Sequence, residues 1–275
     1  MELSDYLARI GYEDSLAPDL QTLSTLHAAH LRGISYENLD IHLGHPVTLD
    51  MNQIFEKVVH KGRGGWCFEM SGLFAWALRE IGFDVTMLAA TVGRSVKKTV
   101  CEGDHLILMV NLEQPHLADV GFGNAFVYPI PLKVGSYGQD FRTMKLEQEQ
   151  DRWIFQNETE LGPGFDFTLK PRKLEDFSDP CQWLQTSSDS GFVQVTVCHR
   201  MTDDETVTLR GAILARTTKQ GTARSEVNDK HHYAATLTNT FGLNLSDDQI
   251  EALWSKVWPS HQSWIQANPT ALDDG

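Results

Sequence analysis

Cys67 is the residue around which chemistry can be built. It stands in the run Arg63-Gly64-Gly65-Trp66-Cys67-Phe68-Glu69. The two glycines permit tight or left-handed backbone just before a helix. From residue 67 to 81 the pattern is helical: Met70, Phe74, Ala77, Leu78 and Ile81 share a face, and Gly82 suits the position after the last turn. The thiol therefore falls among the unpaired N–H groups of a helix start. Such donors favour thiolate over thiol, and they can hold an oxyanion formed by attack on a carbonyl. A buried structural cysteine fits the same pattern.

A nucleophilic thiol needs a base, and the base needs an orienter. Of the eleven histidines, His27 and His30 lie on a predicted helix, where they cap or pack, and His231 and His232 lie in a polar, solvated stretch. His105 differs, because it opens an apolar strand after Glu102-Gly103-Asp104. Asp119 stands among apolar residues in Leu117-Ala118-Asp119-Val120-Gly121-Phe122-Gly123. A carboxylate there needs a partner when buried. If the two strands are neighbours, Asp119 accepts from the His105 imidazole; otherwise it is a surface Asp near a turn. Cys101 and His105 form a C-x3-H pair, but Cys198 and His199 are adjacent and point to opposite strand faces. That spacing does not suit zinc, and no metal is expected.

The elements that position these residues follow from periodicity. Helices are predicted over residues 4–10, with Ser4 as cap and Gly11 as stop, over 20–33, over 52–60 and over 67–81. Strands are predicted over 85–92, 105–112, 117–120, 153–156 and 192–199, with one or two more in 206–217. A last helix is capped by Ser246 and ended by Pro259, and the tail from 268 to 275 is expected to fray. Helices first and strands later indicate an α+β fold. Boundaries are set near residues 83 and 190, giving a helical domain over residues 1–83, a β domain over residues 84–190 and a mixed domain over residues 191–275.

The 275 residues, 41% of them hydrophobic, are enough for a sizeable core. Lys and Arg number 23 against 37 Asp and Glu, a formal charge of -14. Such a surface repels nucleic-acid backbones and anionic membranes. No apolar run approaches the ~18 residues of a bilayer span, and the first ten residues lack a signal-peptide pattern. The reading is a cytoplasmic protein with four reduced cysteines and no membrane or nucleic-acid partner.

Together these residues resemble the arylamine N-acetyltransferases, of bacterial type by length. That family shows Arg-Gly-Gly-x-Cys-x-Glu-x-Asn, then His, then Asp-x-Gly-Phe-Gly. The counterparts here run from Arg63 to Ser71, then His105, then Asp119 to Gly123. The opening Tyr6-Leu7-Ala8-Arg9-Ile10-Gly11, the block Tyr36-Glu37-Asn38-Leu39-Asp40 and the stretch 183–192 are similar too; after residue 195 the likeness is sparse. Ser71 replaces the family's Asn, and Ile34-Ser35-Tyr36 replaces its Pro-Phe.

The resemblance implies an N-terminal helical bundle, a central β-barrel and a C-terminal α/β lid, on a core like that of cysteine proteases and transglutaminases. It implies a Cys67-His105-Asp119 triad, acetyl-CoA as co-substrate with no bound cofactor, aromatic amines or hydrazines as acceptors, and a place in xenobiotic metabolism. Phe122 and Phe192 are candidates to wall the amine pocket. Lys97, Lys98 and the Gly103 backbone are candidates for CoA. Glu37 with Arg63, and Glu69, are expected to brace the glycine turn. An amide synthase closing a macrolactam, a Cys-His-Asp hydrolase and a non-enzymatic binding module are the competing readings.

Overall fold

The computed structural model describes residues 1–94, 96–97, 100–157 and 164–268. Helices come first: α1 (Leu3–Ile10), α2 (Leu20–Gly33), α3 (Leu39–Leu43), α4 (Met51–Phe55) and α5 (Cys67–Ile81), with the short strand β1 (Tyr36–Glu37) before α3. A wide helical turn, Glu56–His60, continues α4. Asp19 caps α2 by accepting the Thr22 N–H at 2.8 Å. Ser4 does not cap α1: the helix starts at Leu3, so Ser4 already lies inside its first turn. Helix α5 is enclosed rather than amphipathic. Phe68, Met70, Leu73, Phe74, Ala77 and Leu78 are all buried, and Gly82 ends the helix at a φ of 104°.

Eight antiparallel strands follow: β2 (Val85–Val92), β3 (His105–Val110), β4 (His116–Ala118), β5 (Ile130–Pro131), β6 (Gly135–Gln139), β7 (Arg142–Glu149), β8 (Arg152–Asn157) and β9 (Phe165–Arg172). Their order, β5-β4-β3-β2-β9-β8-β7-β6, wraps a nearly closed barrel around Ile107, Phe126, Met144, Leu146, Phe155 and Phe165. β3 serves two cores. Leu106, Leu108 and Val110 face α5, while Ile107 points into the barrel. That is why the strand reads as an unbroken apolar run, although its side chains alternate.

The remainder comprises α6 (Ser178–Thr186), α7 (Gly191–Gln194), β10 (Val197–Met201), β11 (Thr206–Arg210), β12 (Ile213–Thr218), β13 (Gly221–Glu226), α8 (Lys230–Phe241) and α9 (Asp247–Ala267). The second sheet, β1-β10-β11-β12-β13, packs against α8 and α9 through Val207, Leu209, Leu237 and Leu253. Because β1 pairs with β10, Tyr36 opposite His199, the N-terminal helices are stitched to the C-terminal sheet.

Two further expectations are corrected. Residues 192–194 are helical, not extended, because Ser190 caps them by accepting the Phe192 N–H at 3.2 Å; the strand starts only at Val197. Pro259 does not end α9. It removes one N–H from the ladder, but Val257 and His261 remain buried on either side, and His261 Nε2 bonds Glu226 at 2.7 Å. Among the described residues no helix is long and apolar enough to cross a membrane. The predicted fraying of 269–275 lies outside the described residues.

Candidate active site

Cys67 is the first residue of α5, with Trp66 as the extended residue before it. The close packing needed there explains the glycines. A Cβ on Gly64 would lie 2.1 Å from the Ser35 carbonyl oxygen, and one on Gly65 would lie 2.9 Å from Glu69 Cβ. Glu69 reaches back to accept the Trp66 N–H at 3.1 Å. Behind this turn sits a buried ionic chain. Arg63 Nη2 meets Glu37 at 2.6 Å and Asp40 at 3.0 Å; Lys57 then bridges Asp40 at 2.8 Å and Glu69 at 2.9 Å. The braces expected from Glu37, Arg63 and Glu69 are all present; Asp40 joins them, as does Lys57, which the sequence did not single out.

Across from the helix start, β3 and the segment after β4 carry the other two groups. His105 Nε2 donates to Asp119 Oδ2 at 2.7 Å. Asp119 Oδ1 accepts the Gly121 N–H at 2.9 Å. Cys67 Sγ donates to the carbonyl of Asp104, the residue preceding His105, at 3.8 Å. Gly121 packs on the helix start so closely that a Cβ there would lie 2.8 Å from the Cys67 carbonyl oxygen. Cys67, His105 and Asp119 are each 2% exposed, so bulk water does not screen their interactions.

That burial works against the effect expected of the helix start. It pushes the Cys67 thiol well above its ordinary value; the Asp104 carboxylate adds to the effect, as do Cys181 and Asp119, and the Phe68 N–H opposes it. The helix-start donor acts in the predicted direction but is outweighed. Burial thus disfavours the thiolate, which a proton acceptor beside it would favour.

Phe122 is half-buried, its ring 5.2 Å from those of both His105 and Phe165. Phe192 is also half-buried but packs elsewhere, 5.5 Å from Trp66 and 6.4 Å from Tyr36. The CoA candidates are more dispersed. Lys97 is tied to Asp104 Oδ2 at 3.0 Å. Lys98 lies outside the described residues. Gly103, at a φ of 72°, lines a cleft of about 270 Å³ with Arg152, Arg172 and Pro180. None of Cys67, His105 and Asp119 lines that cleft. Ser71 is fully buried beside Gly121, and among the described residues its hydroxyl has no hydrogen-bond partner. Among the described residues no three His, Cys, Asp or Glu side chains gather as metal ligands.

The sequence reading had His27 cap or pack on its helix, and it is fully buried there. Its Nε2 accepts the Asp119 N–H at 3.0 Å, and its Nδ1 donates to the Val127 carbonyl at 2.8 Å. Its spacing of four residues from the buried Leu23 puts it on the inward face, but its partners lie about a hundred residues along the chain.

Comparison with known proteins places these features in a family. A family model described as N-acetyltransferase matches residues 19–250, well past the point where the motifs fade. The chicken (Gallus gallus) arylamine N-acetyltransferase, pineal gland isozyme NAT-10, is 31% identical over 277 residues, covering 91% of each chain. The arylamine N-acetyltransferase of M. smegmatis superposes with a TM-score of 0.87 at 31% identity, over 94% of this chain and 99% of that one. The Mycobacterium marinum arylamine N-acetyltransferase in complex with CoA gives 0.86 at 29% identity, over 93% and 98%. By motif, fold and extent of match, the chain belongs to the arylamine N-acetyltransferase family.

Proposed function

We propose that the protein transfers an acetyl group from acetyl-CoA to aromatic amines or hydrazines through an acetyl-cysteine at Cys67. The observation that carries this reading is the His105 Nε2–Asp119 bond of 2.7 Å next to a thiol at a braced helix start, all three side chains buried. Asp119 engages Nε2, which leaves Nδ1 for the thiol. Cys67 passes its proton to Nδ1, and the ion pair stabilises the thiolate that burial alone disfavours. The thiolate sulfur attacks the thioester carbonyl. N–H groups at the start of α5 stabilise the oxyanion. The C–S bond to CoA breaks, and the imidazolium returns the proton to the leaving thiolate. An amine then attacks acetyl-Cys67, His105 removes its proton, and the thiol is regenerated as the amide departs. Sulfur-to-sulfur exchange is nearly balanced in bond energy; amide formation makes the cycle run forward.

The same reading assigns Phe122 and Phe192 to the amine pocket, supported by their half-exposed rings beside His105 and Trp66. It assigns Lys97, Lys98 and Gly103 to CoA, supported by the position of Gly103 in a cleft with two arginines. Residues 1–83, 84–190 and 191–275 then act as helical, barrel and lid units. Four free thiols suit a reducing compartment, and the enzyme is assigned to the cytoplasm.

Intact-protein mass spectrometry after mixing with acetyl-CoA, without amine, tests the reading. One acetyl adduct mapping to Cys67 and discharged by an arylamine is expected. In Lys97→Ala the acetyl-CoA concentration for half-labelling should rise; an unchanged value removes Lys97 from the CoA site. A folded protein that takes no acetyl group would overturn the transferase reading in favour of an amide synthase or hydrolase.

A further inference from the structure

Residues 119–127 connect β4 to the region of β5 and carry Asp119, Gly121, Phe122 and Gly123, yet no strand or helix runs through them. Their backbone groups therefore lack ladder partners, and buried ones must be satisfied by side chains. At both ends of this loop the partner is the same imidazole. His27, from the middle of α2, accepts the Asp119 N–H at 3.0 Å and donates to the Val127 carbonyl at 2.8 Å. The ring is fully buried, stacked on Phe126 at 5.6 Å and 16°, with the Phe74 edge of α5 at 5.7 Å.

We propose that His27 is a positioning residue: it staples the two ends of this loop and thereby sets the Asp119 carboxylate against His105 Nε2. The inference rests on the triad reading above. One nitrogen accepts and the other donates, so the ring is neutral with its proton on Nδ1. A protonated ring could not accept from Asp119. Burial lowers its pKa to about 4, opposed by Val127 and Asp119, so the acceptor persists at neutral pH. The titratable groups that act on it are Asp119 itself and, on the same helix, His30, which burial also lowers well below its ordinary value, with Arg9 adding to that effect. The staple acts on the backbone of Asp119, not on the reacting atoms. Loosening it lets the carboxylate drift from the imidazole while every member of the triad stays present.

The test compares His27→Phe, which keeps a stacked ring but loses both hydrogen bonds, with His27→Gln, which restores one donor and one acceptor. His27→Leu replaces the Phe variant if that does not fold. Three quantities are read: thermal midpoint, kcat and KM for acetyl-CoA, and the pH profile of Cys67 alkylation by iodoacetamide. The expected result for His27→Phe is a kcat lower by about 10- to 100-fold, since small misplacements cost that much. KM should stay within about twofold, and the alkylation profile should move to higher pH because the imidazolium partner is less well held. His27→Gln should recover most of both.

A merely structural role would lower the midpoint alone. His27→Phe with wild-type kcat and alkylation profile, at a temperature where it is folded, overturns the proposal; so does His27→Gln performing no better than His27→Phe. Alkylation needs no acyl donor. It therefore decides the staple even if wild-type Cys67 takes no acetyl group, the separate result that would sink the transferase reading.

Discussion

Asp119 is held at three atoms: its N–H by His27, Oδ1 by the Gly121 N–H and Oδ2 by His105. Only the last contact depends on its negative charge for chemistry. Asp119→Asn leaves one acceptor oxygen for two donors, Nε2–H and the Gly121 N–H, and removes the charge that stabilises the cationic imidazole. Acetyl-enzyme formation should slow by about 10²- to 10⁴-fold with the fold retained; quenched-flow mass spectrometry at wild-type rate would refute the role. Gly121→Ala probes the same contact sterically. Its Cβ would strike the Cys67 backbone at 2.8 to 2.9 Å, so the helix start must shift, costing about 1–3 kcal/mol and slowing acylation. An unchanged denaturation midpoint would contradict that packing. At this scale the triad was legible because each member carries a local mark: glycines before Cys67, a polar turn before His105, apolar neighbours around Asp119. His27 carries no such mark. What distinguishes it is a pair of backbone groups remote in sequence, and helical periodicity reports only that it faces inward.

The start of α5 depends on elements that meet only after folding. Glu37 comes from β1, Asp40 from α3, Lys57 from the turn after α4, Arg63 from the glycine loop and Glu69 from α5 itself. Charges this deeply buried stabilise only as a complete set, and removing one member leaves another uncompensated. Arg63→Met strands Glu37, whose side chain is 0% exposed, and should cost about 3–5 kcal/mol in urea unfolding. A loss below about 1 kcal/mol would show that the chain is not the brace described. Helices with strong end signals were readable: α5 runs from Cys67 to Ile81 as its period and Gly82 indicate. Strands β6, β7 and β13 were not, because charged or glycine residues interrupt their alternation; β9 does alternate, with Phe165, Phe167 and Leu169 apolar, and was overlooked. In β7 only Arg142, Met144 and Leu146 are buried, and Arg142 pairs with carbonyls of residues 202, 203 and 205 that no local pattern announces. Helix α8 was hidden the same way, since His231 and His232 occupy its exposed side while Tyr233, Thr236 and Leu237 face the second sheet.

The molecule as a whole stores much of its pH dependence in histidines that folding keeps neutral. Burial lowers His27 and His199 to about 4, and lowers His30 and His42 as well. A group whose folded pKa lies below its unfolded value binds more protons when unfolded between the two. Stability is therefore fully present above about pH 6.5 and falls as pH drops toward 4. For the fully buried His27 the loss is on the order of 3 kcal/mol. Two groups act in the opposite sense: Glu69, pushed up by burial, and His60, held up by Glu56 and Asp5. Four histidines outnumber them, so the net slope remains positive with pH. Asp40, lowered by Lys57 and Arg63 against its own burial, adds a further loss only in more acidic solution. Urea unfolding at pH 7, 6, 5 and 4 should therefore show a progressive fall in midpoint. His199→Gln can keep a side-chain contact to Thr208, which His199 Nδ1 makes at 2.8 Å, and should flatten the slope by about one proton. A midpoint that stays level from pH 6.5 to 4, with no change of slope in His199→Gln, would mean that folding does not lower the proton affinity of these rings. In that case His27 would take up a proton as pH falls through about 6.5, and the staple on Asp119 would fail in mildly acidic solution rather than persist toward pH 4.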